Sequence, residues 1–146
     1  MIRLSKLTDY AVVLLLYMTQ EGAGTLLSSA RLAALTRIPE PTVSKILKIL
    51  ARHDIVHSVR GMRGGYMINK GIGQIRIVDV VEAVEGEIAV TDCVADSHDC
   101  VIRNHCAGRG RWDAVNDAVK NALAGITLAD MAGGEDRNSR AVKAAL

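Results

Sequence analysis

Every cysteine of this 146-residue chain falls within one short stretch, CVADSHDCVIRNHC, which carries Cys93, Cys100 and Cys106 together with His98 and His105. Six residues separate the first two thiols and five the last two. A structural zinc site usually shows a close Cys-x-x-Cys pair, so these longer gaps suit a loop wrapped round something larger than one ion. Three thiolates are one short of the four that usually hold a cluster. The fourth ligand is left to another residue, to a partner subunit or to an exogenous group. Imidazole replaces thiolate at some irons, which brings His98 and His105 into competition for that place, although each alone reads as a solvated loop residue. The plain alternative is a loop whose thiols merely survive in a reducing cytosol. The absence of cysteine from the other 132 residues argues against it, and for metal or redox chemistry.

The elements that must position this loop can be read on either side of it. LTDYAVVLLLYMTQ reads as a first helix, with Thr8 as N-cap, Asp9 as a first-turn acid suited to the helix dipole, and apolar side chains nearly all round. Ser28 or Ser29 caps a short second helix, ARLAALTR, with Leu32 and Leu35 on its apolar edge. A third opens at IPEPTVSKILKILARHD, where Pro39 and Pro41 suit a helix start and Val43, Ile46, Leu47 and Leu50 form the buried stripe. Thr42, Ser44, Lys45 and Lys48 then lie away from the stripe and can face a partner. IVHSVRG and GYMINK alternate as two strands round GMRGG, whose glycines permit positive φ in a tight or bulged hairpin. The expected fold class is therefore mainly α, with a winged helix-turn-helix and two-stranded wing over residues 1–76.

Such a module reads double-stranded DNA. The third helix fits the major groove, and Arg60 and Arg63 at the wing are natural minor-groove probes. Lys45 and Lys48 add phosphate contacts that position without specifying sequence. His53 and His57 read as surface or phosphate contacts rather than metal ligands. Any one of these basic residues is explained by a solvated face, but the charge is regional. Residues 1–76 carry eleven Lys or Arg against four Asp or Glu, and residues 77–146 seven against twelve, so +7 is followed by −5. A basic front half meets a polyanion and an acidic back half does something else.

RIVDVVEAVE, residues 76–85, leads into the back half, residues 77–132, and places Ile77, Val80, Val81 and Val84 on one helical face, closed by Gly86. After the cysteine loop, Trp112, Val115, Val119, Ala122 and Ile126 recur at three- and four-residue steps, a seam along a helix of about four turns. We expect this long C-terminal helix to dimerise the chain, since a helix-turn-helix commonly reads a two-fold site. Trp112 reads as a packing residue of the seam, with shielding of the loop from water as the alternative. ITLADMA closes with a short helix, and residues 133–146 read as a weakly ordered tail.

Arg3 and Lys6 before the apolar run Ala11 to Met18 imitate a secretory signal. Asp9 interrupts the pattern, however, no convincing cleavage site follows, and eight apolar residues cannot span a bilayer. The expectation is a cytoplasmic protein without membrane attachment. No nucleophile–base–acid arrangement or phosphate-binding loop recommends an enzyme.

RLSKLTDYAVVLL, VRGMRGGY, IVDVVEAVEG and a three-cysteine loop before a helix together resemble the IscR/NsrR-type family of winged-helix iron–sulfur transcription regulators, over about residues 1–132. The opening SKLTDYA is most similar to the branch that regulates SUF iron–sulfur assembly, with a nitric-oxide-responsive regulator as its nearest rival. The resemblance implies a homodimeric regulator, expected to be a repressor, in which Cys93, Cys100 and Cys106 hold an iron–sulfur cluster of the [4Fe-4S] or [2Fe-2S] type. Some members place a histidine three residues after the last cysteine; here that residue is Arg109, so that ligand is missing. Others recruit a carboxylate from the first helix of the opposite subunit, and Asp9 matches it.

Overall fold

The computed structural model describes residues 2–95 and 100–133. Its first helix, α1 (Lys6–Gln20), begins three residues earlier than the sequence predicts. Ser5 is the N-cap, its hydroxyl accepting the Thr8 amide at 3.3 Å, and the added turn lets Leu7 pack on the core. Thr8 becomes a buried side chain inside the helix. Ser28 caps α2 (Ser29–Thr36), which ends in the left-handed residue Arg37 at φ 59°. This tight reversal leads directly to Pro39 and α3 (Glu40–Arg52), completing the helix-turn-helix. The predicted stripe of Val43, Ile46, Leu47 and Leu50 is fully buried.

The wing is an antiparallel pair, β1 (His57–Val59) and β2 (Gly65–Met67), with His57 opposite Met67 and Val59 opposite Gly65. Both strands are shorter than the alternating segments suggest. Gly61 takes φ +117° in the turn, as the glycine-rich tip requires. Gly65 serves closeness instead, because a Cβ there would lie 2.5 Å from the Leu27 carbonyl oxygen. Leu27 and Tyr66 exchange backbone hydrogen bonds of 2.9 and 2.8 Å, which fasten the wing to the segment before α2.

α4 (Ile77–Glu85) buries Ile77, Val78, Val80 and Val81 and ends at Gly86. It packs on both α1 and α3. The core is one cluster running from Ala11 and Leu14 of α1 through Leu32 and Ile46 to Val80 of α4 and Leu128 of α6 (Leu128–Ala132). α6 is the short closing helix, held by Thr127, whose hydroxyl accepts the Asp130 amide at 3.2 Å.

The long C-terminal helix needs correction. α5 spans Asp113–Ala124, so Trp112 stands at its N-cap and Ile126 beyond its end. Twelve residues make a little over three turns, not four. The helix stops because the chain is drawn back to the core. Ile77 donates its amide to the Ile126 carbonyl at 2.9 Å, and Leu128 donates to Ile75 at 2.8 Å, which seats the Leu128 side chain with no exposure. The predicted tail lies outside the described residues beyond Gly133.

Candidate DNA-reading face and cysteine cavity

The outward side of α3 carries Lys45 and Lys48, both exposed, with Thr42 and Ser44 half-buried beside them. Arg60 and Arg63 are exposed on the wing, and between them Met62 is wholly exposed at the tip. Among the described residues, none of these four cations has an ion-pair partner. A cavity of about 460 Å³ between α3 and the wing brings Lys48 and Arg60 together with Arg52, Ser58 and Tyr66. Sequence reasoning passed over Arg52 and Met62. The signal for Arg52 was present, since it lies four residues after Lys48 and therefore on the same helix face. Met62 left none beyond its place between two arginines.

Between α4 and α5, Cys93, Cys100 and Cys106 line one cavity of about 200 Å³ together with Thr91, Asp92, Arg103, Arg109 and Trp112. All three thiols are free and half-buried. The Thr91 hydroxyl lies 3.0 Å from Cys93 Sγ. The cavity is several times the ~30 Å³ share of one water, so it has room for more than a single metal ion. Among the described residues, no three or more His, Cys, Asp or Glu side chains are gathered closely enough to hold one metal ion.

Arg109 lines this cavity, and Trp112 lines it from the start of α5. Thr91, Asp92 and Arg103 are the wall residues sequence reasoning missed. His105 ends a short 3-10 turn, is exposed, and does not line the cavity. His98 lies outside the described residues. The loop is tied at its base by polar contacts between its flanks. Val90 donates its amide to the buried Asn116 Oδ1 at 3.0 Å, and Lys120 lies 3.6 Å from both Glu82 and Glu87.

Asp9 does not line the cysteine cavity of its own chain. It is exposed at the start of α1, in a groove it shares with Arg3, Ser5, Lys6 and Glu85. Glu85 accepts the Ser5 amide at 2.7 Å and the Thr8 hydroxyl. These bonds, Thr8's first, hold the Glu85 carboxyl below the usual carboxylate range. Along the expected seam, Trp112, Val115, Ala122 and Ile126 are exposed and Val119 is half-buried.

A helix-turn-helix with a cationic wing, carried on a mainly helical body, defines a winged-helix DNA-binding transcription regulator. The chain belongs to the Rrf2 family, described as iron-dependent transcriptional regulators, whose model matches residues 4–134. The HTH-type transcriptional regulator NsrR of Shouchella clausii is 25% identical over 135 residues, 92% of this chain and 91% of that one. Protein aau3 of Rhizobium meliloti is 31% identical over 130 residues, covering 88% and 84%. The structure of CymR, the global cysteine regulator of B. subtilis, matches with a TM-score of 0.70 and 25% identity over 93% of this chain and 100% of CymR. IscR of T. potens shares the fold, with a TM-score of 0.67 and 22% identity over 94% of this chain and 90% of that one. The family is one of regulators, not enzymes. Among the described residues, no helix is long and apolar enough to cross a membrane.

Proposed function

We propose that the chain is a homodimeric repressor whose grip on a two-fold DNA site is set by an iron–sulfur cluster held by Cys93, Cys100 and Cys106, and that its targets are SUF assembly genes. The observation that carries this reading is that the only three thiols of the chain line one cavity. A cluster bound there would supply metal–sulfur bonds joining the three cysteines and a centre sensitive to iron, oxidants or nitric oxide. Cys93 follows α4 and Cys106 precedes α5, so holding these thiols together fixes the angle between the two helices. The largely exposed seam of α5, with Trp112 and Ile126 flanking Val115, the half-buried Val119 and Ala122, packs on its counterpart in a second copy. The angle then sets the separation of two α3 helices, which must match half-sites about 34 Å apart. Asp9 is the fourth ligand, supplied by the opposite subunit, in keeping with its exposure and its distance from its own cavity.

Native mass spectrometry of the anaerobically purified protein counts iron and sulfide directly. A dimer carrying two clusters, lost on replacing Cys93, Cys100 or Cys106 by Ala and weakened by Asp9→Ala, is the expected result. Unchanged cluster content in all three cysteine variants overturns the ligand assignment. A second reading, a cluster-free thiol sensor, draws on the absence of a closely gathered ligand set among the described residues. It predicts a metal-free dimer even after reconstitution.

A further inference from the structure

The groove between α3 and the wing has a composition that neither major-groove reading nor minor-groove probing explains. Lys48, Arg52 and Arg60 converge on its cavity of about 460 Å³, and no carboxylate lines it. Among the described residues, none of the three is ion-paired. Like charges on one concave wall repel one another, and an anion placed between them relieves that repulsion. Arg52 is held for such a role. Its Nε donates to the Lys48 carbonyl one turn earlier, at 3.4 Å, which uses one donor of the guanidinium and leaves the terminal amino groups to meet a ligand. Beside Ser58 and Gly65, the remaining wall presents Ala51, Val59 and Tyr66, apolar or aromatic surface on which a sugar can pack.

Resting on the DNA-binding reading, we propose that this groove is the seat of one DNA phosphodiester and its deoxyribose, with Arg52 as the principal phosphate ligand. The seat fixes the depth at which α3 enters the major groove, and the wing tip is then free to read. Two cations from α3 and one from β1's end grip the same phosphate, so the wing and the helix are locked to a common point on the backbone.

The test uses the full chain and a random-sequence duplex, because phosphate contacts persist on non-specific DNA. Anisotropy titrations at several salt concentrations give the slope of log K against log salt for wild type, Arg52→Gln and Arg63→Gln. Arg52→Gln should lower that slope by about 0.9 per seated protomer and weaken binding roughly tenfold at low salt. A duplex scanned with neutral methylphosphonates should reveal one phosphate whose replacement costs wild type clearly more affinity than it costs Arg52→Gln, which retains Lys48 and Arg60 on that phosphate; equal costs at every phosphate overturn the seat. Inorganic phosphate, compared with chloride at equal ionic strength, should displace the duplex no better; if it does, the seat is a free-phosphate site and the proposal falls. An unchanged slope in Arg52→Gln, with Arg63→Gln still impaired, also overturns the seat while leaving DNA binding intact. Failure of the wild type to bind any duplex would instead remove the reading on which the seat rests. Arg52 is exposed, so a circular-dichroism melt matching wild type establishes that the variant is folded.

Discussion

Replacing Glu85 should destabilise the start of a helix eighty residues away. In an ordinary capping box, the N-cap hydroxyl accepts the N3 amide while a Glu or Gln at N3 reaches back to the N-cap amide. In α1 the first half is present, with Ser5 accepting the Thr8 amide, but N3 is Thr8, whose side chain is too short for the second half. Glu85, at the end of α4, makes the missing bond instead by accepting the Ser5 amide at 2.7 Å, and it also takes the hydroxyl of Thr8, which is only 1% exposed. A charge-assisted hydrogen bond contributes about 1.5–3 kcal/mol, and the exposed setting of Glu85 argues for the lower end. Glu85→Gln keeps an acceptor and loses the charge, so it should cost ~1 kcal/mol; Glu85→Ala loses both bonds and should cost ~2 kcal/mol.

The sign with pH follows from the direction of the shift. The folded-state carboxyl titrates lower than the unfolded one, so its contribution is complete above the unfolded value and disappears as pH falls through the folded one. Urea unfolding of wild type and Glu85→Gln at one protein concentration should show a constant gap from pH 7 down to about pH 5, closing below about pH 4. A gap that stays open at the acid end, or equal stabilities at neutral pH, would refute the capping argument.

Leu128→Ala should cost about 3 kcal/mol in the same unfolding assay, because a fully buried side chain leaves a cavity where α6 meets α1. Gly65→Ala places a methyl group against the Leu27 backbone and should detach the wing from it. Hydrogen exchange at the Leu27 and Tyr66 amides should then quicken and duplex affinity fall, with α3 protected as before. Asn116→Ala removes the acceptor of the Val90 amide and should cost ~1–3 kcal/mol, whereas Lys120→Ala, which loses only two partly exposed ion pairs, should cost under ~1 kcal/mol.

What the sequence showed and what it hid differ in a physical way. The stripe of Val43, Ile46, Leu47 and Leu50, the proline entry to α3 and the end of α4 at Gly86 are set by neighbours three or four residues away, and periodicity records them. The Leu27–Tyr66 bridge, the return of Ile126 to Ile77 and the Glu85 cap join positions far apart in the chain, and no local pattern marks such pairs. For the same reason the four-turn reading of α5 was too long. Its apolar spacing continued through Ile126 while the backbone had already turned back to pair with the strand-like segment before α4. The cysteine loop was legible because its donors are close in sequence, and Trp112 was legible as an alternative shield, whereas nothing in the local pattern of Thr91, Asp92 and Arg103 marks that they turn toward the thiols.

That arrangement bears on how the loop could act on DNA. Its two flanks are joined by the Asn116–Val90 hydrogen bond, the Lys120 ion pairs and the half-buried Val119 and Leu123 of α5, while α4 itself is fixed to α1 and α3 by fully buried side chains. α5 buries a single residue, Asn116, and keeps most of its apolar side chains exposed. A change at the three thiols therefore meets less resistance in moving α5, which buries one residue, than in moving α4, which buries four. The DNA-reading module should keep its internal geometry in every state of the loop, and the response should reside in how α5 presents one module to another. The module's own exchange-protection pattern should therefore be the same in wild type and in Cys106→Ala, with differences confined to α5 and its flanks. Altered protection inside α3 would show that the signal travels through the core instead.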